Sequence, residues 1–303
     1  MLQVKLGELK LKNPLILASG ILGISVSLFK RIERAGAGAI TTKTITLKPR
    51  KGYPNPVFVD LGYGYLNAMG LPNPGIEEFI KELREGVDSV DIPIIISIGG
   101  STVEEFVQIV EQIDEEVVDA IELNLSCPHA RGYGIELGSD PKVVSKIVKN
   151  IVERTNLPVF VKLSATMPLK EIAKIAVENG VTGFTVTNTI KAMAIDVWAK
   201  KPILSNIYGG LSGPAIHPIA VRTVYELYEE YPDKPIIGVG GVSSWEDAIE
   251  LILAGASAVG IGSIIASKDL KIFREILEGM RKYLLEEGFK NISEIIGLAH
   301  ERT

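Results

Sequence analysis

Short runs of consecutive apolar residues alternate along this chain with longer stretches in which apolar positions recur every three or four residues. The short runs are 15–17, 39–42, 94–97, 120–124, 159–162, 183–187, 236–239 and 258–261. Apolar on successive residues, most of them fit parallel strands covered on both faces. Each is followed by a helical stretch: 26–35, 76–87, 103–113, 141–154, 169–179, 216–231, 244–254 and 270–287. Gly36, Gly180 and Gly255 stand where helix C-caps are expected. Eight strands in strict alternation with eight helices predict an α/β fold, a (β/α)8 (TIM) barrel, over the competing open doubly wound sheet.

Ahead of the first barrel strand, residues 4–6 and 9–11 flank Gly7-Glu8 and predict a β-hairpin that plugs the bottom of the barrel. Two connections, 43–75 after strand two and 188–215 after strand six, are too long for simple turns. A further βα loop, bounded by Gly132 and Gly134, follows strand four. All three leave the C-terminal ends of strands, where barrel enzymes carry their sites, and long ordered loops there are more often functional than idle. No linker or low-complexity stretch interrupts the pattern, so residues 1–303 are expected to form a single barrel domain.

Composition narrows the function. A net charge of −5 over 303 residues leaves no basic footprint for nucleic acid. No run of 18 or more apolar residues suggests a membrane span, and the N-terminus lacks the features of a secretory signal. The expected location is cytoplasmic. A lone cysteine among three histidines gives no internal disulfide, and neither a metal site nor an iron–sulfur cluster is expected in this chain.

The residues just past each strand carry the candidate chemistry. Ala18-Ser19-Gly20, Lys43-Thr44, Asn124 to His129, Lys162, Thr187-Asn188-Thr189, Gly240-Gly241 and Gly262-Ser263 converge on one face. The last two sets are glycine turns after strands seven and eight, the usual phosphate position in barrels, where free backbone N–H groups can face an anion. A lysine at the mouth of a barrel strand has an enclosed root, which favours a role for Lys43 and Lys162 over simple exposure. Asn67, Asn73, Asn124 and Asn188 pair donors with acceptors, as a planar amide or imide ring requires, though asparagine is also a common turn residue. Cys127 reads three ways from the residues alone: an inert thiol, a general base, or a nucleophile beside His129.

Taken together, Asn67-Ala68-Met69-Gly70-Leu71-Pro72-Asn73, Asn124-Leu125-Ser126-Cys127-Pro128, Val161-Lys162-Leu163-Ser164 and Thr187-Asn188-Thr189 resemble the class 1 dihydroorotate dehydrogenases in order and spacing over essentially the whole chain. The run from Gly209 to Ile216 is similar to the class 1B version. The resemblance implies an FMN-binding barrel that oxidises (S)-dihydroorotate to orotate in pyrimidine (UMP) biosynthesis. It further implies a homodimer of catalytic chains within a heterotetramer, whose second subunit carries FAD and a 2Fe–2S cluster and passes electrons to NAD.

Residue by residue, the resemblance makes Cys127 the base for the C5 proton and sets Lys162 against the flavin's N1–O2 edge. Lys43 then neighbours flavin and substrate. Asn67, Met69, Gly70, Leu71, Asn124, Asn188 and Thr189 surround the pyrimidine, with Asn124 also at the flavin. Ala18, Ser19, Thr44, Val186 and Gly213 line the isoalloxazine and ribityl chain, and Gly240, Gly241, Gly262 and Ser263 hold the phosphate. His129 departs from the pattern, since many members have asparagine there. The Cys-Pro-His run also looks like the uracil-reducing domain of dihydropyrimidine dehydrogenases. Direct use of fumarate, as in class 1A, is the other alternative.

Overall fold

The computed structural model describes residues 1–126 and 138–301. The strands, numbered in chain order, begin with an antiparallel hairpin of β1 (Val4–Leu6) and β2 (Leu9–Leu11). Eight parallel strands then close into a barrel: β3 (Leu15–Leu17), β4 (Ala39–Thr41), β7 (Ile94–Ile98), β8 (Ala120–Asn124), β9 (Val159–Leu163), β10 (Gly183–Val186), β15 (Ile236–Val239) and β16 (Ala258–Ile261). Around the barrel they follow chain order, and β16 closes onto β3 through Val259↔Leu15, Gly260↔Ile16 and Ile261↔Leu17. The (β/α)8 expectation holds.

Burial explains why these segments and no others became barrel strands. All five residues of β7, β8 and β9 are buried, as helices on one side and lumen side chains on the other require. The outer helices bury one stripe each; in Pro141–Val152 it is Val144, Ile147, Val148 and Ile151. Asp140 caps that helix by accepting from the N–H groups of Lys142 and Val143, with Pro141 in the first turn. Removing one such stripe residue, as in Ile147→Ala, costs about 2–5 kcal/mol. The hairpin lies at the N-terminal end of the barrel, as expected. Leu6 and Leu11 join the main core, and a Cβ on Gly7 would come within 2.9 Å of Thr182 Cγ2, just before β10.

The helix expected over 26–35 is matched at both ends, and the other helices end within three residues of the expectation. The helix expected over 76–87 stops at Gly86, whose φ of −150° leaves the α region, and a 3-10 turn follows. The one expected from Ile216 begins at His217, because Pro214–Ile216 forms a 3-10 turn after Gly213.

The larger departure concerns the two long connections. They are not plain loops but carry β5 (Phe58–Asp60), β6 (Tyr65–Asn67), β11 (Ile190–Ala192) and β14 (Gly209–Ser212), which assemble into one antiparallel sheet in the order β11-β14-β6-β5. The joint is β14 with β6, pairing Gly210 with Asn67 and Ser212 with Tyr65 across the two connections. A small ribbon of β12 (Ile195–Asp196) and β13 (Lys201–Pro202) projects beyond it. Leu66, Ala68 and Leu204 form this sheet's own small core. Among the described residues no helix is long and apolar enough to cross a membrane.

Candidate active site

The C-terminal ends of the barrel strands and the underside of the added sheet enclose a cavity of about 430 Å3. Strand ends contribute Ala18, Ser19, Lys43, Thr44, Asn124, Lys162, Thr187, Asn188 and Thr189. The sheet and its flanks contribute Phe58, Asn67, Met69, Leu71 and Gly213, and the two glycine turns bring Gly240, Gly241, Gly262 and Ser263. Residues nearly 250 positions apart in sequence thus face one space, because every barrel strand delivers its C-terminal end to the same side.

Below the cavity rim the polar side chains are joined in a chain. Thr44 Oγ1 lies 3.2 Å from Ser19 Oγ and 3.0 Å from Ser97 Oγ, and accepts from Asn124 Nδ2 at 2.9 Å. Asn188 Nδ2 donates to Ser126 Oγ at 3.0 Å, and Ser126 Oγ donates to the Lys162 carbonyl at 2.8 Å. Asn188 Nδ2 also lies within 3.3 Å of Asn124 Oδ1. Ends of six different strands are tied together this way, which fixes the two asparagines before any ligand arrives.

The charges on the lining are of one sign. Lys43 and Lys162, 8% and 5% exposed, reach the cavity, and no Asp or Glu is among the described residues that line it. Lys43 Nζ donates to the Gly20 carbonyl at 3.1 Å. Lys162 Nζ stands 3.7 Å from Glu122 Oε1, a carboxylate deeper in the lumen. Such a space suits an anionic ligand, or a ring that becomes anionic.

The glycine turns are built to leave backbone donors open. Among the described residues the N–H groups of Gly241, Gly262 and Ser263 find no protein acceptor. Gly241 has φ +72°, and a Cβ there would collide with His217 Cβ at 2.6 Å and the Gly213 carbonyl at 2.8 Å. At Gly262 the only neighbour of a Cβ would be Ala18 Cβ at 3.7 Å, so internal packing does not demand that glycine. Behind the first turn His217 is buried, with Nδ1 2.9 Å from the Gly240 carbonyl and Nε2 3.1 Å from Glu250 Oε2.

Two expected site residues, Val186 and Gly70, stand off the cavity lining, and a third lies outside the described residues. The side chain of Val186 belongs to the hydrophobic core, and its neighbour Thr187 lines the cavity instead. Gly70 lies behind Met69 and Leu71 against Tyr53, where a Cβ would meet the Tyr53 nitrogen at 2.9 Å. Cys127, with Pro128 and His129, falls outside the described residues. Asn73 spends its amide internally: Oδ1 accepts from the Thr46 and Gly75 N–H groups, while Nδ2 donates to Thr46 Oγ1 and the Leu71 carbonyl. It shapes the connection and is not among the residues that line the cavity. Sequence reasoning missed Ser97 and Glu122, and gave Ser126 no role beyond its place in the strand-four run. Of the two missed, only Glu122 left a signal, a charge in the middle of an otherwise uncharged strand.

The family model described as dihydroorotate dehydrogenase matches residues 1–284. This chain belongs to the dihydroorotate dehydrogenase family. Among its relatives, a protein of Pyrococcus abyssi is 50% identical over 99% of both chains. One of Thermococcus kodakarensis is 50% identical over 99% of this chain and 98% of its own. Both are named catalytic subunit of dihydroorotate dehydrogenase B (NAD+). A relative from Aeropyrum pernix, 44% identical over 99% of this chain and 97% of its own, bears a provisional name as the fumarate-linked A form. Dihydroorotate dehydrogenases of this family depend on FMN, and the cavity passes three tests for it. It offers a cationic wall for an electron-accepting ring, unsatisfied N–H groups at the turns for a phosphate, and a volume within the range of cofactor sites.

Proposed function

We propose that this chain oxidises (S)-dihydroorotate to orotate on FMN, in pyrimidine biosynthesis. The observation that carries the reading is the cavity itself: two lysines and no carboxylate on its described lining, amides at its centre and open N–H groups at one end. Bound FMN would supply a hydride acceptor at N5 for the hydrogen on substrate C6.

The chain's own residues do the rest. Gly240, Gly241, Gly262 and Ser263 hold the phosphate through backbone N–H groups, while Ala18, Ser19, Thr44 and Gly213 flank the ring and its ribityl chain. Lys162 meets negative charge developing on the ring with a fixed positive one. Asn124 and Asn188, pre-tied through Thr44 and Ser126, present amide edges to the pyrimidine from below. Asn67, Met69, Leu71 and Thr189 approach it from the sheet side, with Lys43 beside both ring systems. Cys127 takes the C5 proton; a thiol with an ordinary pKa of about 8.5 serves as a base near neutral pH far better than a hydroxyl does.

Replacing Cys127 by serine is therefore expected to lower dihydroorotate oxidation, assayed with a dye acceptor near neutral pH, at least a hundredfold while FMN stays bound. Unchanged activity would remove Cys127 from the mechanism.

For the electrons, relatives named catalytic subunit of an NAD+-linked enzyme favour transfer to NAD through a second subunit; the class 1B resemblance gives that subunit FAD and a 2Fe–2S cluster and pairs the catalytic chains in a heterotetramer. The Aeropyrum relative favours a second reading, direct reduction of fumarate. Turnover with fumarate as sole acceptor by the isolated chain supports the second; turnover with NAD only after an iron–sulfur flavoprotein is added supports the first.

A further inference from the structure

The five residues of β8 are all buried, and the middle one is a glutamate, 1% exposed. In the register of β8 with β9, Asn124 pairs with Lys162 and Glu122 with Phe160. Asn124 and Lys162 line the cavity. Glu122 shares a strand face with Asn124 two residues back, so it sits one layer down, roughly 6–7 Å deeper in the lumen. Its Oε1 lies 3.7 Å from Lys162 Nζ, an ion-pair distance too long for a hydrogen bond.

Among the described residues only two buried side-chain polar atoms lack a hydrogen bond, Glu122 Oε1 and Thr185 Oγ1. Both belong to residues around Lys162: Glu122 on the strand to one side, and Thr185 as the register partner of Lys162 on the other. A buried carboxylate oxygen left without a donor is costly, and a neutral side chain of the same shape would fill the layer at less cost. What a neutral side chain cannot supply is negative charge beneath the ammonium. Glu122 supplies it from below and leaves the cavity side of Nζ to the ligand.

We infer that Glu122 is a positioning residue that holds the Lys162 ammonium in place, and through it sets how strongly the reduced flavin is stabilised. The inference rests on the reading that FMN lies against Lys162. Glu122 itself touches neither flavin nor substrate.

The test measures the midpoint potential of bound FMN in the full-length native chain, in Glu122→Gln, and in the double variant Glu122→Gln/Lys162→Met. The double variant removes both charges and so leaves no lone buried carboxylate. Glu122→Gln is expected to lower the equilibrium constant for two-electron reduction at least tenfold, equivalent to about 30 mV. It should lie close to the double variant, with FMN content and circular dichroism unchanged. A potential in Glu122→Gln equal to or above the native one, with the double variant lowered, overturns the role of Glu122 alone. A double variant at the native potential overturns the placement of Lys162 against the flavin. Should Glu122→Gln fail to fold, Glu122→Asp, which withdraws the carboxylate by one methylene, is expected to lower the same constant at least twofold; no change there counts against the proposal.

Discussion

The cavity's barrel wall and its roof are made of different material. In the wall, Thr44, Ser97, Asn124 and Lys162 are each under a tenth exposed and stand on or just past strands whose flanks are the main core. The roof, formed by the added sheet, rests on three fully buried residues, and its edge strand β5 leaves Phe58 42% exposed. Groups that must hold charge and angle are thus set in the part costliest to deform, whereas the surface that a substrate would cross belongs to the part cheapest to open. Backbone amides of β6 and β14 are therefore expected to exchange with deuterium well before those of β8 and β9.

The largest effect is expected at the ion pair in the wall. Lys162→Met strands the Glu122 carboxylate and should cost about 3–5 kcal/mol in denaturant unfolding, much of it regained when Glu122→Gln is added. If the single variant unfolds with the native midpoint, the wall is not held by that pair.

Next in size is the phosphate turn. Gly241→Ala forces a Cβ against His217 and the Gly213 carbonyl at a positive φ. FMN affinity should fall at least tenfold, about 1.4 kcal/mol, in a fluorescence titration. The roof should respond differently. Asn67 Nδ2 now donates to the Gly210 carbonyl at 3.2 Å, and Asn67→Ala should raise KM for dihydroorotate several-fold, about 1 kcal/mol, while FMN affinity holds. A loss of FMN in that variant would erase the division between wall and roof.

The smallest effect lies outside the cavity. Arg84 Nε donates to Asp114 Oδ2 at 2.6 Å and holds that carboxyl below its ordinary pKa, helped by the Glu116 N–H. A lowered folded pKa means stability present at neutral pH and lost as pH falls through the folded value. Asp114→Asn should therefore cost under about 1 kcal/mol at pH 7, the Arg84 side chain being 61% exposed, and the difference should close in acid.

The same division explains what could be read from the residues in order. Barrel strands such as 120–124 and 159–163 are apolar on successive residues because both faces are covered, and that pattern is local. The glycine turns and strand-end lysines are local as well, each a fixed step past its strand. The roof strands are not. Gly209–Ser212 is mostly glycine and serine, and it becomes a strand only by pairing with Tyr65–Asn67 on a distant connection. Asn73 and Asn124 look alike in sequence, yet one ties a loop and the other faces the cavity. Nothing short of the fold separates them. Glu122 was visible as an anomaly, but its partner lay on the next strand.

We propose above all that this cavity holds FMN and that dihydroorotate reduces it. The purified chain loaded with FMN should be yellow, and anaerobic addition of (S)-dihydroorotate should bleach the flavin absorbance with stoichiometric release of orotate. A chain with no affinity for FMN, or a loaded one that stays yellow with dihydroorotate and bleaches only with a different reductant, would contradict it.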